Sequence, residues 1–272
     1  MVRELEDLLI NKGDDVPLDI AVLQLASIEY PGLDVSYFSE VLDSHGRELA
    51  ETTDPRMPGE EWVAAANRYL FEDLGFHGNR EDYYNARNSC LNDVLTARAG
   101  IPITLCVVYM EVARRLGRNV LGIGLPGHFL CKYQDAGYAA FIDCFHGRVL
   151  SEEDCRDMAL NAAHIDIEDL PRALAPVSKW QIAIRMLNNL RQVYYQGKQY
   201  DKAIRVLDLY LAALPGSAEE YKQRGVLHLH QRRPKDALTD LTRYLQLAPH
   251  AGDRAEIEDH VRNVRRYLQS LN

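Results

Sequence analysis

Apolar positions recur at helical spacing along most of the first hundred residues. They predict three helices, at about 18–26, 35–49 and 59–74, because the apolar residues of each stretch fall on one face of a 3.6-residue turn. Proline and glycine residues separate the three stretches. Asn88 or Ser89 is placed to cap a fourth, shorter helix. The N-terminal part of the chain is therefore predicted to be helical.

The next helix is predicted to be buried. Pro102 suits its first position, where the missing backbone N–H is not needed. From Ile103 to about Leu116 the residues are apolar on most sides, and a helix without a polar face belongs inside a protein. Gly117 is a typical helix terminator.

The spacing of apolar residues then changes from helical to alternating. Short β-type runs occur at 119–124, 129–133 and 138–142, and a last one at 149–150. Glycine-containing turns separate these runs, which is typical of strands joined by short loops. Residues 1–165 are thus expected to form a helix-rich α+β domain with a small antiparallel sheet.

An internal repeat follows the sheet. Five positions recur at a distance of 34 residues, which is the period of the tetratricopeptide repeat, a helix–turn–helix unit. The matched pairs are Ala203 and Ala237, Leu207 and Leu241, Tyr210 and Tyr244, Leu211 and Leu245, and Pro215 and Pro249. Residues 178–272 are predicted to hold two repeats and a capping helix, after a linker at 166–177. Because so short an array cannot bury its faces alone, it is expected to pack on the first domain.

Composition narrows the classes of function. The chain of 272 residues has a net charge of −9, which argues against a nucleic-acid partner. Its five cysteines form no CxxC pair, so neither a disulfide framework nor a four-cysteine zinc site is indicated. The acidic N-terminus lacks the apolar core of a signal peptide, and no apolar run is long enough to span a bilayer. These features predict a soluble, cytoplasmic protein that binds neither nucleic acid nor membrane.

The charge is divided unevenly along the chain. Residues 177–272 hold 16 Lys and Arg against 10 Asp and Glu, while the remainder holds 15 against 30. The two parts therefore carry net charges of +6 and −15. Such asymmetry can steer the docking of the two parts or of a partner, and it is equally consistent with an acidic half that is simply well solvated.

Two residues of the predicted sheet have the chemistry of a catalytic pair. His128 opens one strand and Asp143 ends the next, so adjacent antiparallel strands can set the two side chains opposite each other. An aspartate that accepts a hydrogen bond from an imidazole fixes its tautomer, as in a catalytic triad. The same pair can also serve only to hold the sheet, because no nucleophile is evident beside it.

Three runs of sequence resemble one family. They are Tyr-Tyr-Asn-Ala-Arg-Asn-Ser-Cys-Leu-Asn-Asp-Val-Leu at 83–95, Arg-Ala-Gly-Ile-Pro-Ile-Thr-Leu at 98–105 and Leu-Pro-Gly-His-Phe-Leu at 125–130. A helix ending in Arg-Arg-Leu-Gly, followed by a strand, a histidine and then an aspartate, is similar to the transglutaminase-like core. Over nearly its whole length the chain resembles the SirB-type family, a transglutaminase-like domain followed by tetratricopeptide repeats. The resemblance implies a papain-like α+β fold for the first domain.

The resemblance also implies where a nucleophile would lie. In active transglutaminase-like enzymes a cysteine occupies the first turn of the central helix, and that position falls near Thr104 here. Cys106 is about 200° further around the helix and should face away. The catalytic candidates are therefore His128 as base, Asp143 as its orienting carboxylate and Thr104 as nucleophile, or the three as a vestige of such a site. Most of the cysteines are interpreted as small core residues.

A zinc site is the other chemistry that this region offers. The spacings His128-x2-Cys131 and Cys144-x-His146 contain ligand types that suit zinc. Strand alternation places His128 and Cys131 on opposite faces, so the four ligands are not expected to converge. No metal and no cofactor is therefore predicted.

The repeats offer a different kind of site. Tetratricopeptide arrays usually bind peptides in the groove lined by the first helix of each repeat. The groove positions here are Asn188, Gln192, Tyr195, Lys222 and Val226. They form no basic clamp for a terminal carboxylate, and with so few repeats a purely structural role is about as consistent. In the first domain, Asn88 is a further binding candidate.

Two functions follow from these features. The first is a non-catalytic transglutaminase-like and tetratricopeptide module that binds a protein or peptide partner. The alternative is a cysteine- or threonine-dependent hydrolase or acyl transferase that uses the pair of His128 and Asp143. The nucleophile position favours the first function, because Thr104 cannot supply a thiolate.

Overall fold

A computed structural model describes residues 2–10, 16–163 and 170–270 of the chain, with side chains described outside 2–4, 161–163 and 170. The residues divide into two compact units. The first unit comprises the described residues between 13 and 186, and the second comprises those of 2–12 and 187–272. Helix α1 (Val2–Ile10) therefore belongs to the second unit, although it begins the chain. No helix in the described ranges is both long enough and apolar enough to cross a membrane.

Helices make up most of the first unit. They are α2 (Leu18–Leu25), α3 (Val35–Thr52), α4 (Gly59–Asn67), α5 (Leu91–Ala97), α6 (Pro102–Arg115), α7 (Glu152–Ala163) and α8 (Leu170–Ala173). The predicted helices at 18–26, 35–49 and 59–74 are present, and the third continues after α4 as a π-helical turn over Arg68–Asp73. The predicted cap of the fourth helix is wrong, because Cys90 occupies the N-cap position of α5 and makes no side-chain cap bond.

The predicted antiparallel sheet is also present. Its strands are β3 (Val120–Ile123), β4 (Leu130–Gln134), β5 (Ala139–Asp143), β6 (Arg148–Leu150) and β7 (Pro176–Val177), after a separate parallel pair, β1 (His77–Gly78) and β2 (Ala99–Gly100). The spatial order is β6-β5-β4-β3-β7, and every neighbouring pair is antiparallel. Since consecutive strands from β3 to β6 are neighbours, short turns suffice to join them.

Both faces of the sheet are covered, which explains why its strands are rich in apolar residues. Helix α6 packs on β3 and β4, and all its residues from Pro102 to Ala113 are buried, as its apolar pattern predicts. On the same side Trp62 of α4 stacks on Tyr133 of β4, with ring centroids 5.4 Å apart. The opposite face holds a second apolar cluster that includes Leu130 and Phe141 and is covered by α7.

The segment predicted to be a linker, 166–177, lies partly outside the described residues. From residue 170 onward it contains α8 and then β7. Strand β7 pairs with β3 at Gly122 and Ile123. This end of the segment is thus part of the first unit and extends its sheet by one strand.

The second unit contains the helices predicted from the repeat. Helix α9 (Lys179–Gln196) enters it from the first unit and is followed by α10 (Tyr200–Ala213), α11 (Ala218–His230), α12 (Pro234–Leu247) and α13 (Arg254–Ser270). Within this unit α1 packs on α10, α11 packs on both α10 and α12, and α12 packs on α13. Helices thus fill the predicted repeat segment, and its division into two repeats and a capping helix stays a prediction.

Two helices of the second unit approach each other closely at a glycine. A Cβ added to Gly225 of α11 would lie 2.9 Å from two side-chain atoms of Leu241 and 3.2 Å from Cβ of Asp240, both on α12. Leu241 is fully buried and belongs to the apolar cluster of α12 and α13. The absence of a side chain at Gly225 therefore lets the two helices of the second repeat meet.

Gly225→Val is expected to lower the free energy of unfolding by about 1–3 kcal/mol, because the new methyl groups displace Leu241 in a packed core. Denaturant unfolding of the full chain measures this loss. Gly216→Val is the matched control, since an added Cβ there meets no atom within 4 Å, and a change within about 0.5 kcal/mol is expected. Equal losses for the two variants would contradict the close helix contact.

Candidate functional site in the first unit and groove in the second

His128 and Asp143 meet at one end of the sheet. His128 follows a turn closed by its own N–H, which donates to the carbonyl oxygen of Leu125, and it lies two residues before β4. Asp143 is the last residue of β5, the neighbouring strand. Nε2 of His128 lies 3.2 Å from Oδ1 of Asp143, so the predicted pairing is present. The aspartate is fully buried, whereas 16% of the histidine side chain is exposed.

A second histidine shares the same carboxylate. Nδ1 of His146 lies 2.7 Å from Oδ2 of Asp143. The backbone N–H groups of Phe145 and His146 donate to Oδ1 at 3.2 and 3.3 Å, so the turn after β5 closes around the carboxylate. From the sequence, His146 is a candidate only as a zinc ligand together with His128, Cys131 and Cys144. The sequence does contain a signal for the contact between His146 and Asp143. His146 follows by three residues an aspartate that ends a strand, and a turn at that place brings the two side chains together.

The surroundings keep Asp143 ionised. Burial raises its pKa, but hydrogen bonds and charge from His128 and His146 outweigh burial and bring the pKa to about 2. Both imidazoles can therefore donate an N–H to an acceptor that holds its negative charge throughout the neutral range.

Thr104 does not join this pair. It is fully buried in the first turn of α6, where Oγ1 accepts the backbone N–H of Ile101 at 3.2 Å. Its hydroxyl has two carbonyl acceptors in reach, that of Asn88 at 2.7 Å and that of Ile101 at 3.0 Å. His128 is not among the hydrogen-bond partners of Thr104 in the described part of the chain. The hydroxyl stabilises the start of the helix.

Asn88 is also committed to internal hydrogen bonds. Its Nδ2 donates to the carbonyl oxygens of Asp82 and Tyr83, at 2.6 and 3.1 Å, and its Oδ1 accepts from Asn79 at 2.9 Å. The residue is 3% exposed, so its side chain stabilises the loop before α5. Both donor hydrogens of the carboxamide are used, which leaves only the second lone pair of a buried oxygen for an incoming ligand.

Three thiols lie close together near the His–Asp pair. The Sγ atoms of Cys106, Cys131 and Cys144 all lie within 4.8 Å of one another, and the three side chains are fully buried. Cys106 donates to the carbonyl oxygen of Phe129 at 3.6 Å, and Cys144 lies 3.8 Å from the sulfur of Cys131. Among the described residues, His128 is not a hydrogen-bond partner of Cys106.

The three thiols differ in acidity. Burial raises the pKa of each thiol. For Cys106, hydrogen bonds from the other two cysteines and the positive field of His128 outweigh burial, so its pKa falls below the ordinary value. The pKa values of Cys131 and Cys144 rise because both are buried beside Cys106. At most one of the three is thus readily ionised.

Arg185, to which no sequence pattern pointed, holds the loop that precedes His128 in the chain. Nη2 of Arg185, on α9, donates to the carbonyl oxygens of Leu125 and His128 at 2.6 and 2.7 Å. Its guanidinium also lies over the ring of Phe129, 5.4 Å from the centroid. Arg185 belongs to the first unit but is 57 residues from His128 in sequence, so no local pattern could reveal the contact.

A cleft of about 690 Å³ opens beside the second histidine. Its lining mixes aromatic and polar side chains, among them Phe71, Phe76, His77, Asn79, Phe145 and His146. His146 has 35% of its side chain exposed, so it connects the buried carboxylate of Asp143 to this cleft.

The second unit has a groove of its own, with a volume of about 860 Å³. All five groove positions named from the sequence line it: Asn188, Gln192, Tyr195, Lys222 and Val226. Lys222 is paired with Glu219 at 2.7 Å and Asp253 at 2.8 Å, and therefore offers no unpaired charge. The remaining lining includes amide, apolar and acidic side chains from α9, α11 and α13.

Comparison with known proteins gives matches to both units. Residues 36–188 match the family model of the transglutaminase-like superfamily, and residues 190–262 match a tetratricopeptide-repeat model. A UPF0162 protein of Xylella fastidiosa is 36% identical over 252 residues, which cover 91% of this chain and 90% of that protein. A UPF0162 protein of Pseudomonas aeruginosa is 28% identical over 84% of this chain and 83% of its own length. F-box only protein 21 of the mouse is 30% identical over 61% of this chain and 27% of its own length.

Proposed function

Because the chain belongs to the transglutaminase-like superfamily and continues into tetratricopeptide repeats, we propose that it is a non-catalytic interaction module whose groove binds a segment of a protein partner. The observation that carries the proposal is the convergence of Asn188, Gln192, Tyr195, Lys222 and Val226 on one groove. These residues come from the first helices of two successive repeats, α9 and α11.

The side chains of the groove suit a peptide backbone. Asn188 and Gln192 each carry both a donor and an acceptor, and a backbone amide needs both. Oδ1 of Asn188 is buried and has no hydrogen-bond partner within the described part of the chain, so a peptide could use it only after the side chain rotates. Tyr195 has 55% of its surface exposed and offers an aromatic face to an apolar side chain of the partner.

The charges of the groove favour an internal peptide segment over a chain terminus. Lys222 is held by two carboxylates, and Arg191 is paired with Glu220 at 3.0 Å. Glu256 adds a further carboxylate to the lining. A terminal carboxylate would therefore meet neutralised cations and an acidic rim, whereas a neutral or basic segment would not be repelled.

The first unit supports a non-catalytic role. Cysteine-dependent acyl transfer needs an accessible thiolate beside a base, and serine-type chemistry needs a hydroxyl that the base can deprotonate. Thr104 is buried in its helix cap, and all five cysteines are buried. His128 and Asp143 form a base and orienter without an exposed nucleophile among the residues they contact.

Binding of a library-selected peptide to the full chain tests the proposal. Tyr195→Ala is expected to raise the Kd about tenfold, equivalent to about 1.4 kcal/mol, because the aromatic contact is lost. Isothermal titration calorimetry measures the change. Tyr267→Ala is the matched control, because Tyr267 is also 55% exposed but does not line the groove, and its Kd should be unchanged. If the peptide bound equally well to Tyr195→Ala and to Tyr267→Ala, the groove would be excluded as its binding site.

One observation favours the alternative, a cysteine-dependent hydrolase or acyl transferase. The pKa of Cys106 is lowered, with the field of His128 contributing after the hydrogen bonds from the other two cysteines. Amine incorporation or ester hydrolysis by the full chain distinguishes the two functions. Activity that iodoacetamide blocks, and that Cys106→Ala removes without changing the unfolding midpoint, would establish the enzyme and exclude the non-catalytic module.

A further inference from the structure

Three side chains at the end of the sheet present an imidazole, a carboxylate and a second imidazole to one point. One ring nitrogen of His128, a carboxylate oxygen of Asp143 and one ring nitrogen of His146 all lie within 4.8 Å of one another. These groups come from the turn that precedes β4, the end of β5 and the turn that follows β5. The set combines nitrogen and oxygen donors, which are the ligands of divalent zinc and of non-haem ferrous iron.

From this convergence we infer that His128, Asp143 and His146 bind one divalent first-row transition-metal ion. An ion about 2.1 Å from each donor requires donor atoms roughly 3–3.5 Å apart. Nε2 of His128 lies 3.2 Å from Oδ1 of Asp143, and Nδ1 of His146 lies 2.7 Å from Oδ2, so each nitrogen already faces the carboxylate at close to that spacing. Because the two distances involve different oxygens, a rotation of the carboxylate or of one imidazole is needed to place one oxygen and both nitrogens around the ion.

The surroundings of Asp143 suit a carboxylate that binds a metal ion. Asp143 is fully buried, and the N–H groups of Phe145 and His146 hold its Oδ1 in place. Such hydrogen bonds to a ligating carboxylate orient it and are a general feature of protein metal sites. Arg148 is the opposing charge, but its Nε lies 3.8 Å from Oδ2 and 60% of its side chain is exposed, so it can turn away.

Binding requires a tautomer change and no redox step. In the metal-free protein, Nε2 of His128 and Nδ1 of His146 carry the protons that point at Asp143. In the metal-bound protein, each neutral imidazole keeps one proton on its other ring nitrogen and gives its lone pair to the ion. The number of protons on the two rings is unchanged.

An ion can reach this site from solvent. The side chains of His128 and His146 are 16% and 35% exposed, and His146 lines the cleft of about 690 Å³. Three protein ligands leave further coordination positions for water or for a molecule bound in the cleft. The cluster of Cys106, Cys131 and Cys144 is a separate candidate, but all three sulfurs are fully buried.

Zinc titration of the full, chelator-treated chain tests the inference, with Zn²⁺ as the calorimetric probe and Co²⁺ as the spectroscopic one. One equivalent is expected to bind, and His146→Ala is expected to weaken it on the order of 100-fold because a ligand is lost. His77→Ala is the matched control, since His77 lines the same cleft but is outside the three-residue set, and its affinity should be unchanged. Asp143→Asn should weaken binding as His146→Ala does, wherever that variant folds.

Three outcomes would overturn the inference. The first is a wild-type chain that binds no stoichiometric Zn²⁺. The second is equal affinity in His146→Ala and the wild type. The third is intense near-ultraviolet absorption on adding Co²⁺, which indicates thiolate ligands and would place the ion at the three cysteines instead.

Discussion

Arg115→Met is expected to lower the free energy of unfolding by about 3–5 kcal/mol, because it removes the buried counter-ion of two buried carboxylates and leaves them only the exposed Arg114. Arg115, near the end of α6, pairs with Asp19 at 2.8 Å, with Glu111 at 2.8 Å and with Asp43 at 2.5 Å. Asp19 and Glu111 are 4% and 2% exposed, so water cannot replace the lost guanidinium. Denaturant unfolding at neutral pH measures the loss.

The dependence of this loss on pH identifies its cause. Burial, followed by the field of Asp19, already raises the pKa of Glu111 in the wild-type protein. Without Arg115 the carboxyl group of Glu111 should hold a proton more tightly in the folded state than in the unfolded one. The variant should therefore regain stability as the pH falls toward about 5, since protonated carboxyls need no counter-ion.

Arg114→Met is the matched control for Arg115. Arg114 contacts the same two acids, Glu111 at 2.8 Å and Asp19 at 3.6 Å, but 51% of its side chain is exposed. Its loss should cost no more than about 1 kcal/mol, as for other exposed ion pairs. Equal costs for the two substitutions would contradict the importance of the buried network around Arg115.

Arg185→Met is expected to lower the free energy of unfolding by about 3 kcal/mol and to release the loop before His128. The substitution removes two hydrogen bonds from a charged donor, each worth about 1.5–3 kcal/mol, and leaves the carbonyl oxygens of Leu125 and His128 without this donor. The ring resonances of His128 in nuclear magnetic resonance spectra should broaden or shift, because the loop no longer holds one position.

The exposed Arg156 of α7 provides the comparison for Arg185. Arg156→Met removes the same type of charge from the same unit, and it should change stability by less than about 0.5 kcal/mol. It should also leave the His128 resonances unchanged. If Arg185→Met behaved in the same way as Arg156→Met, the loop before His128 would not depend on the guanidinium.

The sequence predicted the elements whose signals are local. The all-round apolar pattern of α6 reflects its burial against the sheet, and the alternating runs after Gly117 reflect strands with defined faces. The pairing of His128 with Asp143 could be predicted because neighbouring antiparallel strands bring the start of one beside the end of the other. The 34-residue period predicted the helical hairpins of the second unit for the same reason, since each repeat is a local unit.

Features that depend on distant parts of the chain could not be predicted in this way. Arg185 reaches the His128 loop from a helix that begins after the sheet is complete. The alternation of side chains along a strand predicted that Cys131 and His128 lie on opposite faces. It could not show that Cys106 of α6 would lie beside Cys131 and Cys144. The grouping of α1 with the second unit likewise depends on packing against α10, which no pattern within residues 2–10 reveals.

The central claim is that a protein partner binds in the groove of the repeats. Hydrogen–deuterium exchange of the full chain, with and without a bound protein partner, tests this claim most directly. We expect slower exchange on binding in α9 and α11, at the segments that carry Gln192, Tyr195 and Lys222. Exchange around residues 76–81 and 145–147, at the cleft of the first unit, should be unchanged. Protection confined to that cleft, with no change in α9 and α11, would contradict the claim.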